Sequence, residues 1–199
     1  MSFKVRVVPE DPTNNGYILK PLVKRLLSRC GKPNAWVDVL DDPRVRGYEH
    51  AKTLLRTQLL EDYRFMDLLL FLPDADGKDR SAEFRGLEDE ADRQGVRLLC
   101  CAAEQEVEVW LLAGYRDRLG TRWQAIRSDA SVKENVFLPF LAVYGNPKAP
   151  GGGRDVLMNQ ALNGYGALLQ LCPELAELER RIREALRGSL EVSPAGAQA

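Results

Sequence analysis

Along this chain, hydrophobic residues recur first with a period of two and then with a period near 3.6, and the two patterns alternate four times. Phe3 to Val8 alternates apolar and basic residues and predicts a strand that ends at Pro9 and Glu10. Asp11 to Gly16 is turn chemistry. Ile18, Leu19, Leu22, Val23, Leu26 and Leu27 then recur at helical spacing, with Gly31 and Pro33 closing the helix. Pro21 fits this helix only within its first turn, where no backbone hydrogen bond is lost. Trp36 to Leu40 predicts a second strand and Asp41 to Gly47 a loop. Tyr48, Ala51, Leu55 and Leu59 share one helical face. Met66 to Leu72, unbroken in its apolar run from Leu68 onward, predicts a third strand buried on both faces. Ser81 caps a helix with the stripe Phe84, Leu87 and Ala91. Val96 to Ala102 predicts a fourth strand, and Glu104 to Ala113 a helix with Val107, Trp110 and Leu111 facing inward. Strand and helix in fourfold alternation predict an α/β domain over residues 1–113: a mostly parallel, Rossmann-like sheet of about four strands flanked by helices.

Beyond Leu112 the pattern changes. Tyr115 to Arg127 is rich in arginine, and Ser131 with Glu134 has the spacing of a capping box. Asn146 to Gly153, with two prolines and three glycines, predicts a mobile loop. Helices follow over Asp155 to Leu171 and Pro173 to Leu186. Residues 114–187 thus form a helical extension packed on the first unit, and the small, polar residues 188–199 a disordered tail.

The totals narrow the function. An apolar content of 45% in 199 residues is enough for a full core. With a net charge of −1 no global field draws the chain to polyanions, so any such site is a local patch. No apolar run approaches the ~20 residues that span a bilayer, and no signal-peptide core opens the chain, so the expected location is the cytoplasm. Cys30, Cys100, Cys101 and Cys172 form no CxxC pair and read as buried thiols. His50, the one histidine, lies among charged residues, which argues against His-rich metal sites and histidine-based hydrolysis. There is no GxxxxGK[ST] loop, so ATP control would have to come from a partner.

The chemistry lies in the acids. Asp74 and Asp76 follow the third strand in Pro-Asp-Ala-Asp-Gly. In extended chain, carboxylates one residue apart point the same way. At 4 Å and an effective dielectric of 20 they would repel by about 4 kcal/mol, to be offset by solvent, a shared proton or a divalent cation. In open parallel sheets sites form beyond the carboxyl ends of the strands, where strand order reverses. For the order 2-1-3-4, that point brings together Glu10 after the first strand, Asp74 and Asp76 after the third, and Glu104, Glu106 and Glu108 after the fourth. Such hard oxygen donors suit Mg²⁺ or Mn²⁺. Taken singly, the DxD is also a common turn former, and the glutamates also suit a helix N-terminus.

A first-strand glutamate, a DxD after a buried strand, and a glutamate-rich segment running into Trp110-Leu111-Leu112 resemble the Toprim domain. Toprim is the nucleotidyl-transfer and hydrolysis fold of topoisomerases, primases and the overcoming-lysogenization-defect nucleases. The likeness covers residues 3–113 and is nearest to the small stand-alone Toprim-like proteins. The chain departs from the family in having Asp11, not glycine, after the glutamate and Pro73 before the DxD. The resemblance implies a Mg²⁺-dependent nuclease, with Glu10 as acid/base and Asp74, Asp76 and Glu108, or Glu106, as metal ligands. It also implies a partner ATPase and a role in phage defence.

Lys78 and Arg80, directly after the DxD, and Arg116 and Arg122, beyond the glutamate-rich helix, are the candidate cations for a nucleic-acid backbone, with Trp123 placed to stack on a base. The same arginines also read as a solvated helical face, and Trp123 as core. Two other readings stand beside the nuclease. One is a non-catalytic Toprim-like module binding a protein partner, with oligomerisation open; the other is a nucleotide-sugar enzyme using the DxD.

Overall fold

The computed structural model describes residues 2–191. Strands β1 (Lys4–Pro9), β2 (Trp36–Val39), β3 (Leu68–Leu72) and β4 (Leu98–Cys100) form one sheet in the order β2-β1-β3-β4, every pair parallel. The registers Val7↔Leu70 and Leu70↔Leu99 put β3 at the centre beside β1 and β4. All five β3 side chains are buried, and their alternation builds two cores. Leu68, Leu70 and Leu72 face α1 (Pro12–Arg29), while Leu69 and Phe71 face the layer of α2 (Tyr48–Leu54), α3 (Leu60–Asp62) and α4 (Ser81–Arg93). The fold class is therefore α/β, as the periodicity predicts.

The α1 face is completed by the C-terminal half of the chain. It comprises α5 (Glu108–Ala113), α6 (Trp123–Arg127), α7 (Leu138–Tyr144), α8 (Arg154–Ala161), α9 (Tyr165–Leu171) and α10 (Pro173–Glu191). Ile126, Phe137, Met158, Leu168 and Ile182 lie in the same buried cluster as Val5, Leu22 and Leu70.

Several boundaries differ from expectation. Helix α1 begins at Pro12, because Asp11 accepts from the Thr13 N–H at 2.8 Å and Pro12 supplies the preset first-turn φ. Pro21 therefore sits deep inside α1, buried with Leu22, where apolar burial offsets the lost backbone bond. The helix expected from Glu104 starts at Glu108, since the preceding residues pair with the loop after β3. No capping box forms at Ser131; Asp129 instead accepts from the Ser131 N–H at 2.8 Å. The segment predicted as one helix from Asp155 breaks at Leu162–Gly164 into α8 and α9. Gly151, Gly152 and Gly153 all have positive φ and form a left-handed turn, packed at Gly151 against Tyr17. Helix α10 continues through Gly188 to Glu191, and the rest of the expected tail, 192–199, lies outside the described residues.

Candidate active site

Beyond the strand ends the loops after β3 and β4 continue to pair. The N–H of Ala75 donates to the Ala103 carbonyl at 3.0 Å, that of Asp76 to Gln105 at 3.2 Å, and that of Gly77 to Glu104 at 2.8 Å. This backbone zipper holds Asp74 beside the start of α5, where its Oδ1 accepts from the Val107 N–H at 2.8 Å. From the other side, Glu10 Oε2 accepts from the Asp74 N–H at 3.3 Å. The acids after β1 and β3 thus lie together at the carboxyl rim, at the point where strand order reverses.

Behind them sits Glu108, with 0% of its surface exposed. Neither of its carboxylate oxygens makes a hydrogen bond among the described residues. Lys133 supplies the nearby cation, its Nζ 3.3 Å from Glu106 Oε2 and 3.4 Å from Glu108 Oε1. One ammonium thus bridges two carboxylates.

The electrostatics match this crowding. Asp74, 8% exposed, has its carboxyl pushed up to about 8, first by burial and then by the charges of Glu108 and Glu10. Glu10 is raised by burial against the pull of the Asp74 N–H, and Glu106 by burial against the pull of Lys133. Burial works against the charge of Lys133, but Glu108 and Glu106 outweigh it and hold the ammonium charged.

Asp76 does not join Asp74. Its φ of 51° leaves the extended conformation, and its side chain, 54% exposed, turns outward to Arg80 at 3.8 Å. The expectation of two parallel carboxylates fails because the Asp76-Gly77 turn is left-handed, a conformation that aspartate tolerates. Asp76 still faces Glu10 closely enough for its charge to raise the Glu10 carboxyl.

The candidate cations scatter. Arg80 stacks on the Tyr48 ring, 3.8 Å from its centroid, and also pairs with Glu83 at 3.3 Å. Lys78 and Arg80 both line a hollow of about 510 Å³ between α4 and α10, with Glu104, Glu174 and Arg181. Arg116 pairs with Asp117 at 3.0 Å, and Arg122 is exposed at the N-terminal end of α6. Trp123 is half-buried and packs against the core, its Nε1 donating to the Leu171 carbonyl at 3.0 Å. Arg127 is internal as well, clamped between Glu104 and Glu174. Sequence reasoning missed Lys133, because a lone lysine in a helical segment reads as a solvated residue.

Among the described residues no three His, Cys, Asp or Glu side chains form a ready metal cage. The donor chemistry nevertheless fits a hard cation, since every donor is a carboxylate oxygen and neither oxygen of the fully buried Glu108 makes a hydrogen bond among the described residues. No protein-family model matches the chain, nor does any curated protein or any solved structure. No helix among the described residues is long and apolar enough to cross a membrane.

Proposed function

We propose that this rim is the active site of a metal-dependent nuclease, hydrolysing phosphodiester bonds with Mg²⁺ or Mn²⁺. The observation that carries the reading is the crowding of buried and half-buried carboxyl groups around Asp74. Glu10 meets Asp74 while Glu106 and Glu108 share Lys133, and neither oxygen of Glu108 makes a hydrogen bond among the described residues. Burying carboxylates in this way costs several kcal/mol, of order 2 or more, unless a proton or cation joins them. Asp74 and Glu108, with Glu10 or Glu106, would hold the ion, which would supply charge for the leaving oxygen and a more acidic water. Exposure falls from Asp76 through Glu10 and Asp74 to Glu108, so a phosphodiester would enter from the Asp76 side. There Glu10, held by the Asp74 N–H, would take a proton from the attacking water at Oε1 or Oε2. Asp74 and Glu108 would lie deeper and hold their oxygens against Val107 and Lys133. Regulation by a partner ATPase and a role in phage defence belong to the same proposal.

The test is a thermal melt with Mn²⁺ alongside cleavage of DNA and RNA. Wild type should gain stability with Mn²⁺ and cut in its presence. Asp74→Asn, which keeps shape and removes charge, should do neither and still fold. An unchanged melt in wild type would instead favour the non-catalytic module, a reading supported by Lys133 already standing where a cation would sit. The nucleotide-sugar reading draws on Asp74 and Asp76 together and is disfavoured by their divergence.

A further inference from the structure

Charge on this nearly neutral chain is segregated. Helix α1 carries Lys20, Lys24, Arg25 and Arg29 and no acidic residue in its 18 positions. Lys20 and Lys24, and likewise Arg25 and Arg29, are four residues apart, so each pair stacks like charges on neighbouring turns, which is unfavourable in isolation. All four side chains are exposed, and none has an ion pair among the described residues. Helix α4 is the reverse case, with Glu83, Glu88, Asp89, Glu90 and Asp92 against Arg85 and Arg93, and α10 mixes both signs. In α10, Arg180 pairs with Glu177 and Glu184. An unbalanced row on one helix is therefore a local field with no internal partner.

The row borders a groove. Lys20, Lys24 and Arg25 on α1 face Asp155 and Asn159 on α8 across a hollow of about 450 Å³. Its one carboxylate, Asp155, already accepts from Asn159 Nδ2 at 3.3 Å. A second hollow continues from Lys20 and Asp155 toward Pro12 and Thr13, just beyond Glu10. That end holds Asp38 and Asp41, so the cationic stretch is confined to the α1/α8 seam.

We infer that this seam binds the phosphate backbone of a nucleic acid. The occupant needs closely repeated negative charge, which a phosphodiester chain supplies. It must also fit a concave polar trough, which a flat lipid surface cannot enter. The apolar face of α1 (Ile18, Leu19, Leu22, Leu26) is spent in the core, leaving nothing to insert into a bilayer. The assignment stands apart from the cleavage reading, since a chain that binds without cutting keeps it. It also moves the binding surface from Lys78, Arg80, Arg116 and Arg122 to the α1/α8 seam.

The test is fluorescence anisotropy with the full chain, in chelator, using a labelled single-stranded oligonucleotide, its duplex and an RNA of the same sequence across a salt series. Wild type should bind at least one of them, with affinity falling as salt rises. The variant Lys20→Glu/Lys24→Glu/Arg25→Glu should lose about tenfold or more, with a salt slope shallower by roughly 2 to 3. A control with the identical change in net charge, Arg64→Glu/Arg85→Glu/Arg93→Glu, should bind nearly as wild type, and Asp74→Asn should bind fully even where it fails to cleave. Where circular dichroism shows the groove variant unfolded, Lys24→Gln decides, with an expected slope change of about 1. The inference is overturned if wild type binds no oligonucleotide at low salt, or if the control loses as much as the groove variant. Groove-dependent binding to phosphatidylserine vesicles without oligonucleotide binding would overturn it too.

Discussion

Burial, and after it the charges of Glu108 and Glu10, hold the Asp74 carboxyl up at about 8, so in the metal-free chain it carries a proton at neutral pH. The unfolded chain releases the same proton near about 3.9. The folded state therefore binds it more tightly, and the stability this contributes is complete below about pH 4 and lost as pH rises through about 8. Glu10 and Glu106, raised chiefly by burial, act in the same direction. Melting temperature in chelator should fall between pH 5 and pH 8.5, with a slope from Asp74 of up to about 1.4 kcal/mol per pH unit. Asp74→Asn should flatten that decline while its side-chain oxygen still accepts from Val107. A wild-type melting point that rises across this range would sink the account. Glu10 and Asp74 were legible as rim residues because strand ends are legible. The outward turn of Asp76 was not, since a positive φ at a non-glycine residue has no pattern in hydropathy. Lys133 was equally hidden, because its partners lie more than twenty residues away in sequence and meet it only in the fold.

At the scale of elements, β3 holds the sheet to both helical layers. Phe71 is fully buried and touches the rings of Tyr48 and Phe84, with centroids 5.8 and 5.9 Å away. Phe71→Ala should cost about 3 to 5 kcal/mol in denaturant unfolding, through lost transfer energy and the cavity left behind. A loss below about 1 kcal/mol would mean that the α4 layer collapses freely onto the gap. The four strands and their order could be read from period and topology, because β3 must be apolar on both faces to lie between two cores. Helix ends were less legible. Pro12 and Asp11 outweighed the poor propensity of Asn14, Asn15 and Gly16, and Gly164 divided a stretch whose apolar spacing runs on without a break.

Across the whole molecule, the C-terminal half is bound to the acid-bearing segment by a buried clamp. Glu174 at the start of α10 accepts from Trp110 Nε1 at 2.8 Å and from the Arg127 guanidinium at 3.0 Å. Arg127 reaches Glu104 from the same position. Glu174→Ala leaves a buried guanidinium with half its partners and an indole N–H with none, and should destabilise by about 3 kcal/mol or more. Glu174→Leu with Arg127→Met should recover the part owed to the stranded guanidinium, since a packed apolar pair carries no desolvation penalty, while the indole N–H stays unpaired. If the double variant is no better than the single one, the clamp acts through geometry that apolar residues cannot replace. None of this was legible in the sequence. There the arginines of 116–127 form one basic stretch, whereas the fold buries Arg127 and leaves Arg116 and Arg122 exposed.

The loops after β3 and β4 are laced together largely by main-chain groups, with the Asp74 carboxylate on the Val107 N–H added to them, so most of the spot where the acids gather is set by peptide atoms that no side-chain change removes. Chemistry and architecture are therefore separable here. A descendant could lose every carboxylate of the rim to amides, keep the same folded shape, and still carry the cationic groove along α1.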